Sequence, residues 1–100
     1  MWHFKLLNKI IVNNADDKSV NFNNDVYASS INFTNSIGQS KIAISPAKTL
    51  DISGDISNLS DSIISGDGTL KLSGTSKEQN IYAKIGASAN PLNSLQINNP

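Results

Sequence analysis

Residues 65–74 read SGDGTLKLSG, two leucines at Leu70 and Leu72 separated by one lysine and fenced by Gly66 and Gly68 on one side and Gly74 on the other. Apolar, polar, apolar is the period-two signature of a strand, and Gly-Asp-Gly is turn chemistry. The glycines leave room for a strand of only a few residues between two corners. Such a strand buries too little surface to stand alone, so its partners must lie elsewhere in the chain. The same triplet recurs on both sides: Val20/Phe22, Ile31/Phe33, Ile42/Ile44, Leu50/Ile52 and Leu95/Ile97. Between the triplets lie NND, TNSIGQS, SGD and NNP, all residues that tolerate positive φ or hydrogen-bond their own backbone.

Spacing turns these strands into an architecture. Phe33 to Ile52 is 19 residues, Ile52 to Leu72 is 20 and Leu72 to Ile97 is 25, the last interval carrying the extra TSKEQN. A loose period near 20 suits a coil of short strands stacked about 4.8 Å apart, with inward residues forming aliphatic ladders. The expectation is an all-β, parallel β-solenoid whose corners are made by Gly and Asn. Leu50, Ile52, Leu70, Leu72, Leu95 and Ile97 should share one interior, while Asp51 and Lys71 face out. A small antiparallel β-sandwich is the alternative, because turn signals every 8–12 residues are also expected there. The brevity of the strands and the scarcity of large aromatics, six in 100 residues, favour the solenoid. Two segments are ambiguous. TSKEQNIYAKIG offers a helical capping box at Thr75 and Glu78, yet Ile81, Ala83 and Ile85 alternate, and the strand is preferred. The first twelve residues fit a strand or a short amphipathic helix, with KIIVN reading as strand.

Composition removes several classes of function. Eight lysines balance seven aspartates and one glutamate, so there is no net charge to draw in nucleic acid or an anionic membrane, and arginine is absent. Without cysteine there is neither a disulfide framework nor a thiolate metal site. Asparagine and serine supply 29 residues, a bias that fits turns and solvent-facing strand positions when the apolar residues are as ordered as the 13 isoleucines are here. The opening MWHFKLLNKIIV carries Lys5 and Lys9 inside its apolar run and is followed by NNADDKS, a poor cleavage site, so it does not read as a signal peptide. No run of about 20 apolar residues spans a bilayer.

Asp51, Asp55, Asp61 and Asp67 invite comparison with acids that act on glycosidic bonds from neighbouring coils of β-helical enzymes. Solvated turns explain them as well: Asp51 alternates with inward neighbours, and Asp55 and Asp67 follow glycine. SGDGTLKLSG departs from the calcium-binding nonapeptide, since its Asp lies between the glycines and the unit does not recur in tandem. The phosphate-loop pattern fails for want of G-K-S or G-K-T. His3, the single histidine, cannot complete a metal site or serve a serine nucleophile. Asn32 and Asn58 satisfy the glycosylation sequon only formally. No catalytic, cofactor-binding or metal-binding residue is assigned, no cofactor is expected, and the chain is read as not an enzyme.

GDGTLKLSG, with Gly66, Gly68, Thr69, Leu70, Leu72, Ser73 and Gly74 in the pattern GxGTLxLSG, resembles the passenger repeats of bacterial autotransporters, above all rickettsial surface antigens. IGASANPLNSLQIN is similar to their step from IG to a closing L-x-x-L-x-I-N strand, and VNFNNDVYASSINFTN to the text between units. The likeness covers residues 19–100; residues 1–18 form a lead segment or cap outside it. What the resemblance implies is a right-handed parallel β-helix displayed on the outer side of an outer membrane, structural or adhesive, with a host-cell surface or matrix protein as partner. The family's signal peptide and C-terminal membrane barrel are not found in these residues, which implies a fragment, a split frame or a secreted remnant. Nucleic acid is not expected as a partner. Self-association is, because SLQIN would leave an open coil edge with no cap. A carbohydrate-active β-helix and a small secreted binding module are the alternatives.

Overall fold

A computed structural model describes residues 7–14, 18–35, 38–58, 61–74 and 78–98. Trp2, His3, Phe4, Lys5, Thr75, Asn99 and Pro100 lie outside them, and with them the capping box and the start of MWHFKLLNKIIV. The strands are β1 Leu7–Val12, β2 Ser19–Phe22, β3 Val26–Phe33, β4 Gln39–Ile44, β5 Thr49–Ile52, β6 Ile56–Asn58, β7 Asp61–Leu72, β8 Lys84–Ile85 and β9 Leu92–Ile97. Every strand pairing is parallel, and no helix occurs among the described residues. One coil takes 21 residues from Ile10 to Ile31, 24 from Val26 to Leu50, 20 from Leu50 to Leu70 and 25 from Leu70 to Leu95. The chain is a parallel β-solenoid of about four turns, not an antiparallel sandwich.

Each turn has three faces. The first stacks Val26–Ala28, β5, the second half of β7 and the end of β9. The second stacks β1, the Ile31–Phe33 end of β3, β6 and Ile81. The third stacks β2, β4, the first half of β7, and β8 with Leu92. Alternation sends one set of side chains inward, and register places like on like: Ile10, Ile31, Ile56 and Ile81 form one column, Val26, Leu50, Leu70 and Leu95 another, and Val20, Ile42, Ile64 and Ile85 a third. β-branched and aliphatic residues suit this because they pack on a pleated surface with few rotamers to lose. Burial follows position in the column. The middle members Ile31, Ile42, Leu50, Ile52, Ile56, Ile64 and Leu70 are inaccessible, each stabilising the fold by about 1.5–3 kcal/mol. The members at either end of a column are partly open.

SGDGTLKLSG departs from expectation in an informative way. The corner expected at the glycines is there, since Gly66 pairs on the third face and Thr69 on the first, but the strand runs through it without a break, β7 spanning Asp61 to Leu72. One coil earlier the same turn is Ser45-Pro46-Ala47-Lys48, between Ile44 and Thr49, with Ala47 at φ 62°. Here only Asp67 and Gly68 separate Gly66, the partner of Ile44, from Thr69, the partner of Thr49. The shorter path cuts inside the loop above it. A Cβ on Gly66 would lie 2.4 Å from both the amide nitrogen and the carbonyl oxygen of Ile44, and one on Gly68 2.5 Å from the Ser45 oxygen. Gly66 also sits at φ 109°, a conformation that side chains disfavour. On the next coil the path shortens again, since Leu92 pairs with Gly66 and Ser94 with Thr69.

The column order also corrects the spacing expected from the sequence. Ile52 over Leu72 over Ile97 is right, but Ile52 lies beneath Ala28, and Phe33 belongs to a different column with Val12 and Asn58. β3 serves two faces at once, and its small Ala28 occupies the place where a larger aliphatic residue marks the other coils. The segment Asn80–Ile85 is not helical: Ile81 is bridged to Ile56, the Tyr82 amide donates to the Ile56 carbonyl at 2.8 Å, the chain bends at Ala83, and β8 pairs with β7. KIIVN is strand through Val12.

Candidate functional site

Outward residues also stack in columns, and their chemistry follows from that. On the first face Tyr27, Asp51, Lys71 and Gln96 are in register. Asp51 accepts a hydrogen bond from the Ser73 hydroxyl, and the Lys71 ammonium approaches its other oxygen at 3.9 Å. Both side chains point outward as expected, though neighbouring rungs cover much of each. At the corner between the first and second faces, Asp55 accepts from the Asn80 amide at 2.9 Å. Asp61, at the start of the third face, accepts from the Gln39 side-chain amide at 3.1 Å and pairs with Lys84 at 3.1 Å. Asp67 is exposed in the tight turn between Gly66 and Gly68.

The four acids raised by the sequence therefore occupy four different outward positions, and the register brings no second carboxylate into the column of Asp51. Three of them tie one coil to the next. The same holds for uncharged groups: the Ser57 hydroxyl donates to Asn32 at 3.1 Å, the Ser45 hydroxyl to Asn23, and the Thr49 amide to Asp25 at 2.9 Å. Asn32 and Asn58, the formal sequons, are both hydrogen-bonded, Asn32 to the next coil and Asn58 within its own, donating to the Ser62 hydroxyl at 3.2 Å. In the glycine turn the Gly66 amide donates to the Pro91 carbonyl and the Thr69 amide to the Lys48 carbonyl, each at 2.9 Å, so two amides of the turn hold neighbouring coils. Among the described residues no group of three or more His, Asp and Glu is placed to hold a metal.

Two features have no warning in the sequence. Gln79 is a bracket: its side-chain oxygen accepts from the Gly74 amide at 2.7 Å, and its nitrogen donates to the carbonyls of Ile52 at 2.9 Å and Gly54 at 2.8 Å. One side chain thus joins the end of β7 at Gly74 to the coil above, adding to the backbone bond that the Ser73 amide already donates to the Ile52 carbonyl at 3.0 Å. The second is a buried hydroxyl ladder, Ser40 in register with Ser62, the first donating to the Asn14 carbonyl. An open depression of about 310 Å³ lies at the lower end, lined by Leu72, Glu78, Gln79 and Ile97. It follows the last coil, where the column of Leu72 opens to solvent.

No family model, curated protein or solved structure matches the chain. The class that fold and surface define is a parallel β-solenoid whose outward polar side chains bind rung to rung. No helix of the described residues is long and apolar enough to cross a membrane.

Proposed function

We propose that this chain is a non-enzymatic β-solenoid segment of a bacterial surface passenger of the autotransporter type, structural or adhesive, working on the outer side of the cell against a host-cell surface or matrix protein. The observation that carries the reading is the engagement of the outward acids: Asp51 with Ser73 and Lys71, Asp55 with the Asn80 amide, Asp61 with Gln39 and Lys84. Carboxylates spent on neighbouring rungs make a stiff stalk, whereas glycoside cleavage needs two acids facing one bond at about 5–9.5 Å from each other. The likeness of GDGTLKLSG and IGASANPLNSLQIN to rickettsial passenger repeats supports the surface setting.

The test pairs two assays on the purified chain. Binding to immobilised matrix proteins and to cultured host cells is expected, and Asp51→Asn, Asp55→Asn and Asp67→Asn should leave it nearly unchanged. A polysaccharide panel should show no release of reducing ends. Release that one of these substitutions, or Asp61→Asn, abolishes would establish a carbohydrate-active protein instead.

A further inference from the structure

We propose that the two ends of the solenoid bind each other, so that copies of this chain stack head to tail along the coil axis. The inference concerns the 100-residue chain by itself and not the surface reading; within a longer passenger the same two edges are where further coils would continue these columns. The columns of Ile31, Ile42 and Leu50 are closed in the middle and partly open at both ends, while Val12, at the top of the Phe33 column, is buried. On the upper edge Val20 is 37% exposed, and Ile10, Phe22 and Val26 are partly covered; on the lower edge Leu95 is 46% and Ile97 63% exposed, with Ile81, Ile85 and Leu92 partly covered. Among the described residues, β1 pairs only with β3, β2 only with β4, and β8 and β9 only with β7.

The two edges have the same shape because they interrupt the same columns. Moving a second copy down the axis by one molecule sets its Ile10 beneath Ile81, its Val20 beneath Ile85, its Phe22 beneath Leu92 and its Val26 beneath Leu95, in the registers that hold the inner coils together. Aliphatic columns then continue across the joint. The backbone matches as well. The Asn98 amide donates upward to Leu72 and the Tyr82 amide upward to Ile56, so alternation in a parallel strand turns the amides of Leu95, Ile97 and Ile81 toward the free edge. At the top, the carbonyls of Val12 and Phe22 are taken from below by Thr34 and Ser45, which leaves the backbone groups of Ile11 and Asn21 pointing up. Backbone donors on one edge thus face acceptors on the other.

The area is sufficient. The two shorter extents of the molecule are 26 and 26 Å, so an end within that outline offers on the order of 700 Å² per copy, and two ends together approach the lower range of stable interfaces, about 1,200–2,000 Å². One contact needs adjustment: Leu7 already pairs over Ala28, where the incoming Ile97 would land. Both side chains are more than half exposed and can part there, which marks the seam. A head-to-tail contact uses different surfaces on each copy, does not close on itself, and gives an open series of stacks.

Sedimentation velocity on three proteins and one mixture tests this, with circular dichroism as a check of folding. Wild type should show a mass that rises with concentration past the dimer. Val20→Lys blocks the upper edge and Leu95→Lys the lower, so each alone should be monomeric, while the two mixed should form a 1:1 dimer and nothing larger. Ile97→Pro, which removes an amide facing the free edge, should also be monomeric and keeps the test alive if Leu95→Lys misfolds. A wild type that stays monomeric up to about 500 µM, far above the range in which interfaces of this size associate, overturns the proposal. So does a dimer of Val20→Lys by itself, which would mean lower edge against lower edge, or a mixture in which folded partners remain monomeric.

Discussion

Replacing Gly66 with alanine should cost this protein a large share of its stability, and the reason is local. Gly66 holds φ 109°, where a residue with a side chain carries about 1–3 kcal/mol of strain. Its new methyl would also sit 2.4 Å from the Ile44 nitrogen and oxygen, backbone atoms of the coil above that cannot swing aside as a side chain could. Forcing two rungs apart at that point is an overpacking defect of about 1–3 kcal/mol. Together these give about 2–6 kcal/mol against a total of about 5–15 kcal/mol for a domain of this size. With a urea dependence near 1 kcal/mol per molar, the unfolding midpoint followed by circular dichroism should fall by about 2 M or more. Gly86→Ala is the control for positive φ without the clash: φ is 73° and the nearest atom, the Leu92 nitrogen, lies at 3.2 Å, so its cost should be about 1–2 kcal/mol. Asp67→Ala, between the two glycines and exposed, should stay within about 0.5 kcal/mol. A Gly66→Ala protein less than about 1 kcal/mol below wild type would refute the claim that the chain cuts inside the turn above it.

Leu70 and Leu95 share a column, one inaccessible and the other 46% exposed, so Leu70→Ala should cost about 2–5 kcal/mol and Leu95→Ala under about 1 kcal/mol in urea unfolding of the monomer. Gln79→Ala takes the side-chain partner from the Gly74 amide and the Gly54 carbonyl, the Ile52 carbonyl keeping the Ser73 amide, and should destabilise by about 1–3 kcal/mol, with faster amide exchange at Gly74. Lys71→Ala removes a partly exposed ion pair at 3.9 Å and should change stability by less than about 0.5 kcal/mol.

Much of the fold is legible where a coil keeps a clean triplet. Leu50/Ile52, Leu70/Leu72 and Leu95/Ile97 declare their alternation, and each lies in the column expected of it. Legibility fails where one strand serves two faces. In VYASSINF the pairs Val26/Ala28 and Ile31/Phe33 have opposite parity, and only Ile31/Phe33 has the bulk of a triplet, so spacing alone matches Phe33 to Ile52 in place of Ala28. The glycines of SGDG are legible as punctuation but not as a shortcut, because the length of the loop above them is a property of another coil. Gln79 is illegible for a similar reason: its partners are carbonyls 25 and 27 residues away. Of the acids, the outward direction of Asp51 can be read from parity, but its partner Ser73 comes from the next coil, and Lys84 reaches Asp61 only because a coil intervenes.

Parallel stacking in the stated register is the claim on which all of this rests, and cysteine pairs test it cleanly in a chain that has none of its own. Thr49 faces Thr69 and Asp51 faces Lys71, so Thr49→Cys with Thr69→Cys, and Asp51→Cys with Lys71→Cys, put Cα atoms about 4.8 Å apart, within disulfide reach. The crossed pairs, Thr49→Cys with Lys71→Cys and Asp51→Cys with Thr69→Cys, lie about 8 Å apart, outside it. Mild oxidation followed by non-reducing peptide mapping should show bridges in both straight pairs and neither crossed pair. Bridges in the crossed pairs with none in the straight ones would mean that these strands run antiparallel, and the solenoid would be wrong.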